Sequence, residues 1–253
     1  MEIDFFGKKN TLIMLINNFK YIRKSIVFIW IFSFCLLARS GSYEDFFKAV
    51  QFDNVRVVQS LLQRGFDPNT VNPEGVPALM LAVREPSIKV AELLASWPQT
   101  RTEVRNASDE SPLMLAALKG FLPLVKKLVD NDADVNKPGW TPLHYAATGG
   151  HVPIIEYLLD QSAYIDAESP NGTTPLMMAA MYGSPEAVKS LIQAGADLTL
   201  KNQLGMTALD FAIRGQRPNA RELIETGLSR LAERQKRANS QIQVAPVDQP
   251  SNR

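Results

Sequence analysis

The stretch GWTPLHYAATGGHVPIIEYLLDQSAYID, residues 139–166, contains two short amphipathic segments separated by a glycine-rich turn. Thr141 stands where a helix N-cap is expected, and Pro142 follows at the first helical position. Pro153 opens the second segment, where a missing N–H costs nothing. Apolar residues then recur at i, i+3 and i+4, which is the spacing of a buried helical stripe. The stretch therefore predicts a pair of helices joined by a short turn.

The same pattern recurs along the chain, and its anchor residues Thr141, Thr174 and Thr207 are 33 residues apart. Each copy is followed by Val-x-x-Leu-Leu or a close variant, and a degenerate leading copy begins near Tyr43. Because one helix pair cannot bury its own apolar stripe, the copies are expected to stack into a solenoid. The matching segments are GVPALMLA at 75–82, DESPLMLAA at 109–117, GWTPLHYAA at 139–147, GTTPLMMAA at 172–180 and GMTALDFA at 205–212.

These copies resemble the ankyrin repeat, whose signature G-x-T-P-L-H-x-A-A-x-x-G-H is followed by a helix and then by G-A-D-x-N. Residues 139–166 match the signature almost residue for residue, and RGFDPN at 64–69 and QAGADL at 193–198 supply closing turns. The resemblance covers about residues 42–228. It implies an all-α ankyrin-repeat solenoid of about six helix-turn-helix repeats with β-hairpin fingers between them.

The pattern divides the chain into a leader, six repeats and a tail. Three steps separate Asn136 from Gly139 where the family has six, so the finger entering repeat four is predicted to be cut short. Residues 230–236 are expected to extend the last helix with a basic face, and a polar, disordered tail is expected from Ala238. The predicted segments are a signal peptide at 1–40, an N-terminal capping repeat at 41–72, repeats at 73–105, 106–135, 136–166 and 167–199, a C-terminal capping repeat at 200–228, and the helix extension and tail at 229–253.

The first forty residues have the organisation of a secretory signal. Three basic residues precede an uncharged run at 25–37, and the small residues of Ala38-Arg39-Ser40 follow it, so cleavage is expected before Gly41. The run has 13 residues, fewer than the roughly 20 that span a bilayer as a helix. A retained signal anchor is the alternative, and Met14 is an alternative start.

Composition restricts the function further. The chain of 253 residues carries a net charge of +1, which argues against a nucleic-acid binder that works by bulk electrostatics. Its one cysteine excludes a disulfide framework or thiolate zinc cluster. Cleavage before Gly41 would remove this cysteine and leave 21 basic and 24 acidic residues, a net charge of −3. A chain without thiols suits an oxidising compartment.

Neither histidine is expected to be catalytic. The resemblance implies that His144 is a structural hydrogen-bonding residue and that His151 lies in the turn between helices. Met80, Met114 and Met177 occupy the position of His144 in other copies, where core packing is expected. The sequence predicts no catalytic residue, no metal site and no cofactor. The structural motif residues are Thr141, Pro142, Leu143, His144, Thr174, Pro175 and Leu176.

The resemblance also implies where a partner binds, because ankyrin proteins generally bind through the concave face formed by finger tips and first helices. Aromatic residues there are the strongest candidates for anchors. For Trp140 the alternative is that it folds over the shortened finger and covers backbone. The predicted protein-binding residues are Phe52, Arg84, Leu118, Lys119, Trp140, Met181, Tyr182, Leu204, Met206 and Arg214.

Leader and repeats together predict an exported bacterial protein, located in the periplasm, that binds an unknown protein partner. It would act as a scaffold, inhibitor or protective partner without catalytic activity of its own. The alternatives are a secreted effector that acts on a host-cell protein and an inner-membrane adaptor held by the retained leader. Neither nucleic acid nor a small-molecule cofactor is expected as a ligand, and membrane contact is expected only if the leader is kept.

Overall fold

The computed structural model describes residues 41–244. The predicted signal peptide at 1–40 and the predicted tail from 245 onward lie outside the described residues. The chain divides into two units between Phe66 and Asp67. The helical fold predicted from the repeats is confirmed in both units.

The first unit is a helix pair, α1 at 41–51 and α2 at Val55–Gln63. Asn54 is the N-cap of α2, and its side chain accepts the backbone N–H of Val57 at 3.3 Å. Phe46 is fully buried, and its ring centroid lies 4.4 Å from that of Phe66. Phe52, at the end of α1, is instead 80% exposed.

The second unit contains five helix pairs. In each pair the first helix packs against the first helix of the neighbouring repeat, and the second helix does the same in its own row. The small, buried residues Ala146 and Ala147 show why the first row can pack closely. The first helices are α3 (Ala78–Arg84), α5 (Pro112–Lys119), α7 (Pro142–Gly149), α9 (Pro175–Tyr182) and α11 (Ala208–Arg214). The second helices are α4 (Ile88–Ala95), α6 (Leu122–Asp130), α8 (Val152–Asp160), α10 (Pro185–Gln193) and α12 (Pro218–Val244).

A series of hydrogen bonds, here called the turn ladder, joins the turns that follow successive second helices. In each rung a polar side chain accepts a backbone N–H from the corresponding turn of the next repeat. Each of these backbone donors thereby gains a partner within the protein. The rungs are Arg101 N–H to Asn69 at 2.8 Å, Asp134 N–H to Glu103 at 3.0 Å, Tyr164 N–H to Asn136 at 2.9 Å and Asp197 N–H to Asp166 at 3.0 Å.

The fingers are shorter than the predicted β-hairpins. Residues 41–244 contain no β-strand, only an isolated bridge between Val71 and Pro77. Each full finger is a five-residue turn closed by two hydrogen bonds. The first residue donates its N–H to the fifth carbonyl, and its side-chain oxygen accepts the fifth N–H. The fourth residue has a positive φ, which favours glycine there. The full fingers are 72–76, 106–110, 169–173 and 202–206.

The finger that enters repeat four lacks this turn, as the spacing predicts. In its place Lys137 reaches back to the preceding finger, where its ammonium pairs with the carboxylate of Asp109 and lies 3.3 Å from that residue's carbonyl oxygen. The Lys137 side chain is only 8% exposed. Gly139 lies against the ring of Pro170 in the following finger. The short finger therefore contacts both of its neighbours.

The last helix is longer than expected. Helix α12 continues to Val244, so the prediction of a disordered tail from Ala238 is wrong for residues 238–244. The preceding residues 230–237 are rich in Arg and also contain Ala, Glu, Gln and Lys, which are good helix formers, and the helix that they form gives residues 238–244 a template. Among the residues described, no helix has the length and apolar character that a membrane span requires.

Candidate protein-binding face

His144 is a fully buried hydrogen-bonding residue at the start of α7. The backbone N–H of Thr141 donates to its Nδ1 at 3.2 Å, and the Thr141 hydroxyl lies 2.9 Å from the same atom. Because a backbone N–H can only donate, Nδ1 carries no proton and Nε2 carries one. The Nε2–H then donates to the carbonyl of Thr173 at 2.9 Å, which ties repeat four to the next finger. Burial lowers the pKa of His144 to about 4.

In other repeats a different atom accepts the backbone N–H of the N-cap residue. Met114 and Met177 accept the backbone N–H of their N-cap residue on sulfur, at 3.4 Å in both cases. Asp210 accepts it on a carboxylate oxygen at 2.7 Å. The position therefore requires an acceptor rather than an imidazole. Met80, Met114 and Met177 are all buried, as predicted for core packing.

The other predicted motif residues lie in the first turn of α7 or α9. Thr141 and Thr174 are the N-caps, and each is followed by a proline and a leucine that are buried against the neighbouring repeat. These residues fix where each first helix begins. The buried followers are Pro142, Leu143, Pro175 and Leu176.

His151 lies at the N-cap of α8 and is also engaged in packing. Its Nε2 lies 2.9 Å from the carbonyl of Leu118, at the end of the preceding first helix. Ser184 makes the equivalent contact to the carbonyl of Gly150 at 3.2 Å. These bonds satisfy helix-end carbonyls that have no partner within their own helix. Both histidines thus link adjacent repeats.

The predicted binding residues of the second unit lie on its first helices and fingers, a surface here called the first-helix face. Tyr182 is 55% exposed and Leu204 is 76% exposed, and three cationic residues are also exposed, namely Arg84, Lys119 and Arg214. The remaining four are partly buried, namely Leu118, Trp140, Met181 and Met206. Phe52 belongs to the first unit, where it is exposed.

Trp140 combines the two roles considered for it. Its ring centroid lies 5.2 Å from that of His144, and the planes meet at 75° in an edge-to-face arrangement. The indole is partly buried, so one part of it packs on α7 while another part stays accessible. Trp140 therefore packs on α7 and keeps part of its indole accessible on the first-helix face.

Two residues of this face were not predicted. The Tyr145 hydroxyl donates to Glu110 at 2.9 Å, and burial together with this bond raises the pKa of Tyr145. Ile213 is 51% exposed. It stands in the last repeat where Ala147 stands in repeat four, and within residues 41–244 no further repeat packs over it. The repeat register offered that signal, because Ile213 is the large residue in a series of small ones.

The family profile described as "Ankyrin repeats (3 copies)" matches residues 46–138, 99–169 and 163–231. The chain belongs to the ankyrin repeat family. Ankyrin repeats serve as protein–protein interaction modules and are in general non-catalytic. Within the described part of this ankyrin-repeat chain, no group of three or more His, Cys, Asp or Glu side chains could hold a metal ion.

Curated relatives share the repeats and are much longer. Ankyrin repeat and SAM domain-containing protein 6 of Rattus norvegicus is 32% identical over 146 residues, which are 58% of this chain and 13% of the rat protein. The Danio rerio protein of the same name is 36% identical over 145 residues, 57% of this chain and 16% of that protein. Neurogenic locus notch homolog protein 1 of Xenopus tropicalis is 29% identical over 164 residues, 58% of this chain and 6% of that protein. The chain spans less than a fifth of each.

Proposed function

We propose that this ankyrin-repeat protein is an exported, non-catalytic module that binds one protein partner on its first-helix face. It acts as a scaffold, an inhibitor or a protective partner. The observation that carries the proposal is a set of apolar side chains left accessible on one surface. Tyr182 and Leu204 are more than half exposed there, and Met181 and Met206 lie beside them in sequence and are partly buried. Such accessible apolar residues are typical of interaction sites.

The rigidity of the face supports the same proposal. Every first helix from α5 to α11 begins at an N-cap whose N–H is bound by the residue three positions later. The turn ladder fixes the spacing between the turns of successive repeats. A surface held in this way loses little conformational entropy when a partner binds, so a few anchors can supply the affinity.

Export is supported by the leader and by the composition that its removal leaves. A basic segment, an apolar run of 13 residues and small residues before Gly41 have the order of a signal peptide. The remaining chain would have no cysteine. We place the mature protein in the periplasm, with the inner-membrane anchored form as the alternative; the bacterial source follows only from the family's occurrence behind short signals.

The binding proposal is tested by capture with a C-terminally tagged chain expressed in its native cells. The Tyr182→Ser, Leu204→Ser double variant should lose at least about tenfold of a stoichiometric partner, because two exposed anchors are removed. Tyr164→Ser is the matched control, since Tyr164 is 69% exposed but lies in the turn after α8, outside the first helices and fingers that define the first-helix face. Equal capture by all three folded proteins would refute the assignment of this face.

The export proposal is tested by the intact mass of the same tagged protein. A mass that begins at Gly41 and a periplasmic location are expected. A full-length mass in the membrane fraction would overturn cleavage and support the retained anchor.

A further inference from the structure

We infer that repeat four forms a notch across the first-helix face, and that this notch receives one extended peptide segment of the partner. The segment carries a bulky apolar side chain and an acidic residue. The inference rests on the proposed function and specifies the partner segment. The repeat-four notch has a floor of Trp140, Tyr145, Thr148 and Gly149, and its walls come from repeats three and five.

On its finger side, the notch results from the three residues that the short finger lacks relative to a full finger. The neighbouring fingers 106–110 and 169–173 keep their closed five-residue turns, whereas the short finger has none. Three residues span at most about 10 Å of chain, so the short finger projects less by about half that length. Lys137 lies flat against Asp109 and does not refill the gap. The row of fingers is therefore interrupted at repeat four.

The helix side of the notch lies at the last residues of three consecutive first helices. Helices α5 and α9 end in Lys119 and Tyr182, which are both exposed, and α7 ends in Gly149. A Cβ atom at Gly149 would lie 2.6 Å from the carbonyl oxygen of Leu118 and 2.5 Å from the ring of His151. The packing between repeats thus excludes a side chain at this position.

Thr148 makes the floor lower still. Its hydroxyl donates to the carbonyl of His144 at 2.7 Å, so the polar end of the side chain turns back onto α7. The corresponding residues are Leu118 in repeat three and Met181 in repeat five, which are both longer. On the finger side, the Tyr145 ring is held down by its bond to Glu110. Repeat four is recessed at both ends of its first helix.

The width of the notch selects the shape of the segment. Neighbouring helix axes lie about 8–10 Å apart, so the axes of α5 and α9 are about 16–20 Å apart. A helix with its side chains is about 10–12 Å across, which leaves about 4–10 Å between the flanking helices. Another helix is too wide for this space. An extended chain fits, since strands in a sheet lie about 4.8 Å apart.

The acidic groups around the notch are already engaged. The carboxylate of Asp109 pairs with Lys137, and this hydrogen bond holds the pKa of Asp109 below its usual value. Glu110 accepts hydrogen bonds from Asn106 at 2.7 Å and from Tyr145 at 2.9 Å. Neither carboxylate attracts a cationic partner as strongly as an unpaired one would.

Lys119, on the wall of the notch, differs from these engaged acidic groups. It is exposed, and no ion pair to it is found within the described residues 41–239. A carboxylate on the partner segment would complement this charge. The apolar parts of Trp140 and Met181 border the same recess, and they suit a bulky apolar side chain that fills the floor.

Selection from a library of random octapeptides on the full chain tests the inference. The enriched peptides should combine a large apolar residue with Asp or Glu, and their binding is then measured by fluorescence anisotropy. Thr148→Met places in repeat four the residue that repeat five has, so the fold is kept while the floor rises. We expect this variant to weaken the enriched peptide by about tenfold, and Lys119→Glu to weaken it by about fivefold.

Tyr164→Ser is the matched control and should bind the peptide as wild type does, and circular dichroism checks the helical content of each variant. Enrichment of basic peptides, or equal binding by Thr148→Met, would overturn the notch. Partner capture separates this failure from that of the proposed function. Capture kept by Thr148→Met but lost by the Tyr182→Ser, Leu204→Ser variant leaves the face in place without the notch. Capture unchanged in both variants overturns the face as well.

Discussion

Repeats four and five have helices of equal length, eight residues in α7 and α9 and nine in α8 and α10, yet their exposed parts differ. Repeat five has a closed finger, Met177 as the acceptor of the N-cap N–H, and Tyr182 at the end of its first helix. Repeat four has a flattened finger, His144 and Gly149 at the same positions. Asn136 nevertheless forms its rung of the turn ladder. The stacking parts of a repeat are thus independent of its finger.

The largest effect on stability is expected at a buried leucine that both repeats share. Leu143 and Leu176 are both fully buried, and each directly follows the proline at the first helical position. Leu143→Ala and Leu176→Ala should each lower the free energy of unfolding by about 2–5 kcal/mol, because each leaves a cavity between first helices. Urea unfolding followed by circular dichroism measures both. A much smaller loss at Leu143 would show that repeat four is loosely packed, and the independence of finger and stack would then fail.

The second expected effect is on the pH dependence of stability, in which repeat four should differ from repeat five because of His144. The folded pKa of His144 is about 4, below the ordinary 6.5, so the unfolded chain takes up the proton more readily. Its stabilisation is complete above pH 6.5 and is lost as the pH falls towards 4. The loss amounts to about 3 kcal/mol at about 1.4 kcal/mol for each pKa unit.

His144→Met tests this pH dependence by giving repeat four the same N–H acceptor that repeat five has, a methionine sulfur. The variant should be less stable at pH 7 by about 1–3 kcal/mol, because the carbonyl of Thr173 loses its buried donor. Its unfolding free energy should depend less on pH between 6.5 and 4 than that of wild type. Met177→His is the reciprocal control. Parallel pH profiles for wild type and His144→Met would contradict the neutral, Nε2-protonated imidazole.

The smallest change in stability is expected from a transplanted finger. Replacing Lys137-Pro138 by the Ala-Glu-Ser-Pro-Asn of residues 167–171 restores the six-residue spacing of repeat five. The free energy of unfolding should change by no more than about 1 kcal/mol, since a longer surface loop adds little closure entropy. Binding of the octapeptide should nevertheless fall, because the finger row is closed. A large loss of stability would show that the short finger itself supports the stack.

Most of the helical framework could be predicted from the sequence, because the pattern that caps each helix is also the pattern that repeats. The N-caps Thr141, Thr174 and Thr207 begin α7, α9 and α11 as expected. The end of α12 could not be predicted in this way. Residues 238–244 are largely polar, which suggested a disordered tail, but they continue a helix that residues 230–237, all good helix formers, have already formed.

The candidate face was only partly predictable. A repeat signature gives the position of a residue within its own copy, and it located Tyr182 and Leu204 correctly on exposed surface. It does not show which neighbour covers a residue, so the exposure of Ile213 in the last copy was missed. The recess at Gly149 depends on Leu118 and His151, and one of these lies about 30 residues away. Such contacts between repeats become visible only once the copies are stacked.

The turn ladder has a mechanical consequence. Each rung joins one repeat to the next and skips none, as the two helix rows do, so force applied to the two ends of the second unit is carried through these repeat-to-repeat contacts in series. Under tension such a chain should lengthen in discrete steps, one for each repeat that detaches. The step that contains the short finger should be about 10 Å smaller than its neighbours, because three residues fewer are released. A single-molecule pulling trace would thus show the position of repeat four as the one short interval in a regular series.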